Sequence, residues 1–302
     1  MKDILAKIKD LNIGKIDEDA SLAKYTTYKV GGVCSGIVFP KNIDSLITLI
    51  RFLKSEGISY KILGRGSNLL FSSKPYEGIL IKLDELNDIR FLGKTKIQVE
   101  AGFPLIKLSM MAAKKGLTGL EFASGIPGSV GGAIYMNAGA YKSDMGYVVE
   151  RVKVLTPDLK IIYLENKEMD FHYRSSFLQR HPDYICLEAI IKLKKGKKEA
   201  IEEVIKERKQ RRVESQPLEY PSAGSVFRNP EGEFAGKLIE DSGLKGKKHG
   251  VAMISDKHAN FVINYDNASA EDIKYLIDLA HDTVLENYNI DMKIEQEFVN
   301  WE

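Results

Sequence analysis

GIPGSVGGAIYMNAGAY, residues 125–141, is the stretch on which the reading of this chain turns. Glycine and alanine crowd it, and residues with so little side chain leave the backbone open to close approach. Ser129 and Asn137 add side-chain hydrogen-bonding groups. A pyrophosphate lying on such a surface meets several N–H donors, each contributing roughly 1.5–3 kcal/mol as a charge-assisted bond. The competing reading is a close-packed crossing of small residues between helix and sheet. Packing alone does not require Pro127, Ser129 and Asn137 among the glycines, which favours a ligand. Composition does not say which nucleotide.

A second turn, Gly64-Arg65-Gly66-Ser67-Asn68-Leu69, follows a strand pattern directly. It opens like a dinucleotide fingerprint, but Leu69 stands where the third glycine belongs and no helix pattern follows. Its consecutive N–H groups, with the Ser67 hydroxyl and Asn68 amide, suit an anion nest; a plain tight turn is equally consistent. GEFAGKL at 232–238 is one residue short of a phosphate loop and has Leu238 in place of the magnesium-binding hydroxyl. It reads as a structural helix with Ala235, Leu238 and Ile239 on one face. The five histidines have no metal-ligand spacing, and the basic run 206–212 (KERKQRR) reads first as a solvated helix face.

Working outward, 302 residues suit two or three domains, and 44% hydrophobic with 28% charged residues is ordinary globular composition. A net charge of +2 is too small to make nucleic acid or a membrane surface the expected partner. No apolar run approaches the ~20 residues of a membrane span, and the N-terminus lacks a signal-peptide core, so a cytoplasmic protein is expected. Cys34 and Cys186 lie in strand-like runs and read as buried thiols. Strands are expected at 33–39, 60–63, 79–83, 89–92, 97–100, 148–155, 161–164, 184–193 and about 292–299. Helices are expected after Asn42, with Leu46, Ile47, Ile50 and Leu53 on one face; around 104–115; at 199–214; and through Ile273, Leu276, Ile277, Ala280 and Val284. The fold class is α+β with mixed sheets, and residues 33–63 look like a βαβ block.

The chain carries the ordered motifs TTYKVGG (26–32), LGRGSNLL (63–70), GLTGLEFASGIPGSVGGAIYMNAGAY (116–141), YRSS (173–176), AGSVFRNP (223–230), GKLIEDSGLKG (236–246) and SDKH (255–258). Together these motifs resemble the UDP-N-acetylenolpyruvoylglucosamine reductase family. The resemblance spans nearly the whole chain and fits the shorter, second type of the family.

It implies the FAD-binding fold of the vanillyl-alcohol oxidase type, two α+β subdomains around FAD, and a C-terminal α+β substrate-binding domain. On the sequence this places an N-terminal helical segment at 1–24, the FAD-binding domain at 25–195 (subdomains about 25–75 and 76–195) and the substrate domain at 196–302. It implies NADPH as co-substrate and UDP-N-acetyl-enolpyruvoylglucosamine as substrate, in a monomer making a peptidoglycan precursor. Matched motif by motif, Arg174 sits at the substrate carboxylate, Ser225 is the proton donor, and a tail glutamate completes the set. Ungapped alignment puts that role on Glu295, which is favoured because it needs no gap; a two-residue shift puts it on Glu297. Both face one side of the expected strand, so alternation does not choose between them. The cofactor-binding residues are Gly64, Arg65, Gly66, Ser67, Asn68, Leu69, Gly125, Ile126, Pro127, Gly128, Ser129, Gly131, Gly132, Ala133, Asn137, Gly139 and Ala140. Tyr173, Arg228 and Asn229 are the substrate-binding residues. A flavin oxidase or dehydrogenase of the same fold and a non-catalytic nucleotide-binding module are the alternatives, and YRSS and AGSVFRNP count against both.

Overall fold

A computed structural model describes residues 1–301. The chain forms two compact units that are not contiguous in sequence, as 25–195 and 196–302 would be. The first comprises residues 1–18, 36–65 and 78–210; the second comprises 19–35, 66–77 and the chain from 211 onward.

In the first unit the helix Ile43–Ser55 shows how local sequence sets an element. Asn42 caps it, its side chain accepting from the Ser45 N–H at 2.9 Å. Leu46, Leu49, Ile50 and Leu53 are fully buried, a stripe of spacing three, four and seven; Leu49, rather than the expected Ile47, completes it. Burying each such side chain contributes about 1.5–3 kcal/mol. Gly57, at φ +67°, ends the helix, with Gly57 N–H bonded to Lys54 and Ile58 N–H to Leu53. The expected βαβ block is modified. In a four-stranded sheet ordered Gly14–Ser21, Val33–Pro40, Tyr76–Lys82, Tyr60–Leu63, the strand Tyr76–Lys82 lies between the other two, parallel to Tyr60–Leu63. The strand Gly14–Ser21 was not expected, because its polar run shows no clean alternation.

A five-stranded antiparallel sheet runs in the order Ile161–Glu165, Val149–Leu155, Ile185–Lys192, Lys96–Glu100, Ile89–Leu92. The helix Leu105–Lys114 follows Pro104, which is its N-cap residue. The long helix Lys198–Ser215 buries only Ile201 and Ile205, which pack on Ala113. On its basic face the Arg208 guanidinium stands 4.7 Å from the Tyr141 ring centroid, and the Tyr141 hydroxyl donates to the Arg208 carbonyl at 3.1 Å.

In the second unit the helix Ala270–Tyr288 opens with a reciprocal cap between Ser269 and Asp272. Its buried face, Ile273, Leu276, Ile277, Ala280 and Val284, is the one the sequence periodicity gives. It shares a core with the helix Ala235–Asp241 and with the three-stranded sheet Lys248–His249, Ala252–Ile254, Val262–Asn264. The terminal strand covers Glu297–Val299 alone and pairs in parallel with Leu69–Phe71. The expected start at 292 is reduced to one bridge, Phe227 with Ile294. Both cysteines are buried and outside any disulfide, and no helix of the described residues is long and apolar enough to cross a membrane.

Candidate active site

In the first unit the glycine-rich stretch holds a short helix, Val130–Tyr135, capped by Ser129, whose Oγ accepts from the Gly132 N–H at 3.3 Å. The row of open donors expected from the sequence is largely closed. Val130 and Gly131 donate to the carbonyls of Phe103 and Ala101, Ile126 donates to the Ala123 carbonyl just before the stretch, and Gly128 and Ala133 bond within it. The glycines divide by what surrounds them. A Cβ on Gly131 meets Ala101 at 2.9 Å, and one on Gly139 meets the Ser143 carbonyl at 2.4 Å, so these two serve close packing. A Cβ on Gly132 or Gly64 meets only the Ser129 hydroxyl, at 3.4 and 3.1 Å. Gly64, Ser129 and Gly132 therefore present a bare polar surface that fits the diphosphate of a dinucleotide such as FAD. Packing accounts for Gly131 and Gly139, whereas Gly64 and Gly132 leave room for a ligand.

Asn137 departs from its expected role. It is 1% exposed, its amide donates to the His172 carbonyl at 2.7 Å, and its oxygen accepts from the Gly146 N–H at 2.9 Å. Its side chain is spent on protein, and it ties the loop before Arg174 to the stretch it belongs to.

Arg174 occupies a tight turn closed by reciprocal backbone bonds between His172 and Ser175, both 3.0 Å. Its φ is +53°, a position that favours glycine or asparagine. The guanidinium lies 5.0 Å from the Tyr173 ring centroid and donates to the Gly139 carbonyl at 2.9 Å. Ser176 caps the following helical turn and donates to the Tyr135 carbonyl at 2.7 Å. Burial pushes the Asp144 carboxyl above its usual range; N–H groups of Gly146 and Tyr147, the Asn137 amide and the Arg174 charge oppose this. A cleft of about 490 Å³ opens beside this turn, lined by Asp144, Tyr147, Asp170, His172 and Tyr173 among others.

In the second unit Ser225 follows Gly224, whose φ is +76°. Two residues the sequence reading missed hold its loop. Gln296, 5% exposed, donates toward the carbonyls of Ala223, Gly224 and Ser225 at 3.2–3.4 Å and accepts from the Tyr28 hydroxyl at 3.0 Å. Asn260 makes two 2.9 Å bonds to the backbone of Phe227. In the sequence Gln296 is only a glutamine between two glutamates, and no signal marks it before the fold buries it. The chain bends at Gln296, and of the two glutamates only Glu297 lies in the terminal strand. Glu295 N–H bonds the Val226 carbonyl at 2.7 Å, and Asn68 bonds the backbone of both glutamates. Arg228 has a buried Nε without a hydrogen-bond partner, whereas Asn229 is exposed and accepts from the Ala235 N–H at 3.1 Å.

The loop 64–69 is shared out by the fold. Gly64 and Arg65 belong to the first unit, Gly66 to Leu69 to the second. Gly66 is structural: a Cβ there meets the Tyr25 carbonyl at 2.1 Å.

Residues 34–164 match the FAD binding domain family, and residues 216–299 match the UDP-N-acetylenolpyruvoylglucosamine reductase C-terminal domain. The UDP-N-acetylenolpyruvoylglucosamine reductase of Halalkalibacterium halodurans is 43% identical over 299 residues, covering 99% of each chain. The chain belongs to the UDP-N-acetylenolpyruvoylglucosamine reductase family. Reductase 1 of Bacillus cereus is also 43% identical with the same coverage. The crystal structure of the reductase (MurB) from Thermus caldophilus superposes with a TM-score of 0.80 at 34% identity, covering 94% of this chain and 98% of that one. A glucose dehydrogenase, Phl p 4.0202, covers 65% of this chain with a TM-score of 0.52 at 15% identity, which shows the fold alone. The fold is the α+β FAD-binding type expected from the sequence, and as a member of the reductase family the protein is an FAD-dependent oxidoreductase.

Proposed function

We propose that this protein reduces UDP-N-acetyl-enolpyruvoylglucosamine to UDP-N-acetylmuramate with NADPH, in peptidoglycan precursor synthesis. The observation that carries the reading is the backbone of Arg174. A non-glycine residue at φ +53° costs about 1–3 kcal/mol, and such strain clusters at functional sites. The Arg174 side chain is a permanent cation whose fork matches a carboxylate.

Bound FAD supplies the hydride chemistry. The chain's own residues supply the rest. Arg174 pairs with the substrate carboxylate as negative charge builds on the carbon skeleton. Ser225 delivers the proton to the carbon next to it, from a loop whose carbonyls Gln296 and whose next residues Asn260 hold still. For the third group, Glu297 pairs with Leu69 in register, so their side chains leave the same face of the strand pair. This favours Glu297 over Glu295. Arg228 fits the nucleotide phosphates, because its buried Nε is left without a protein partner. The enzyme acts, on this reading, as a cytoplasmic monomer.

Ser225→Ala tests the reading. Flavin bleaching by NADPH stays within about threefold of wild type, while re-oxidation by the enolpyruvyl sugar nucleotide slows at least ~100-fold. Equal rates in both halves overturn the role of Ser225. Glu297→Gln slows the second half more than Glu295→Gln does; the reverse order returns the role to Glu295. Brisk peroxide formation from an alcohol without NADPH favours the oxidase alternative.

A further inference from the structure

Lys82 ends the strand Tyr76–Lys82 and is 5% exposed, in a run whose preceding residues Ile79, Leu80 and Ile81 are fully buried. Its Nζ donates to the carbonyl of Gly64 at 2.6 Å and lies 3.4 Å from Asp84 Oδ1. Burying a cation costs several kcal/mol, and a methionine fills the same volume without that cost. The fold thus keeps a charge where packing alone prefers none.

The position of the carbonyl shows what the charge can do. A trans peptide is planar, with its C=O and N–H on opposite edges. Lys82, by holding the Gly64 carbonyl from the protein side, turns the N–H of Arg65 the other way and polarises it. That N–H meets no acceptor among the described residues. Beside it lies the bare face of Gly64, where a Cβ meets only the Ser129 hydroxyl at 3.1 Å.

We infer that Lys82 is a positioning residue for the cofactor: it fixes the Gly64–Arg65 peptide so that the Arg65 N–H donates to the diphosphate of FAD. The inference rests on the assignment of Gly64 and Arg65 to cofactor binding.

FAD dissociation from the full-length holoenzyme, read by recovery of flavin fluorescence on dilution, and thermal unfolding of the flavin-depleted chain test it together. Lys82→Met raises the FAD dissociation constant about tenfold to a hundredfold, the weight of one charge-assisted bond. The flavin-depleted chain melts at or above the wild-type temperature. Lys82→Gln, which keeps a donor without the charge, falls between wild type and Lys82→Met. Wild-type FAD affinity in Lys82→Met, or failure of both variants to fold, overturns the inference. Gly64→Ala is the control, since it puts a methyl group on the open face. If it weakens FAD and Lys82→Met does not, only the role of Lys82 falls. If neither weakens FAD, the cofactor does not use this turn, and both readings fall.

Discussion

Arg174 donates through Nη2 to the carbonyl of Gly139 at 2.9 Å, so the strained turn is tied to the end of the glycine-rich stretch. Asn137, two residues before Gly139, bonds the carbonyl of His172, two residues before Arg174. The segment read first as a cofactor cradle is equally the mount of the arginine.

Arg174→Gly separates strain from function. Glycine relaxes at φ +53°, which offsets the lost bond to Gly139, so stability stays within about 1 kcal/mol of wild type in urea unfolding. Substrate reduction falls at least ~100-fold, while flavin reduction by NADPH stays within about threefold. A loss of stability well beyond that range means the side chain is structural.

Gln296→Ala leaves the carbonyls of the 223–225 loop and the Tyr28 hydroxyl without their shared partner. Unfolding free energy drops by about 2–4 kcal/mol, and Tyr28→Phe, which removes one bond, by about 0.5–1.5 kcal/mol. Denaturant midpoints check both. If Gln296→Ala costs no more than Tyr28→Phe, the amide does not hold the serine loop.

The two classes of glycine are separable in the same way. Gly131→Ala forces a methyl against Ala101 and loses about 1–3 kcal/mol. Gly132→Ala has room and gains up to about 1 kcal/mol of helix propensity. Only the second occupies the surface offered to the cofactor, so its FAD affinity falls by about tenfold. Thermal melts and flavin titration distinguish them.

His281 bonds Asp282 through Nδ1 and Asp291 through Nε2, both at 2.9 Å. Both bonds need a proton on each nitrogen, so these carboxylates, Asp282 first, raise its pKa above 6.5. A group whose folded pKa is raised stabilises the fold below its unfolded pKa, and the gain disappears as pH rises through the folded value. His281→Gln therefore lowers the melting temperature below pH 6.5 and converges on wild type in alkaline buffer. A pH-independent difference assigns the effect to packing on Phe227 instead.

Local signals carry far in this chain. Asn42, the stripe from Leu46 to Leu53 and Gly57 specify a helix with its ends, because capping and burial act within a few turns. The ordered motifs identify the reductase family and, with it, FAD. Tertiary structure decided what periodicity cannot reach. It set Tyr76–Lys82 between two strands that precede it in the chain, and gave Gly131 to packing and Gly132 to an open face. It spent the Asn137 amide on protein, and it buried Gln296 beside the Ser225 loop and Lys82 behind Gly64. Each of these depends on a neighbour distant in sequence, and a residue's own chemistry does not say which partner the fold will bring to it.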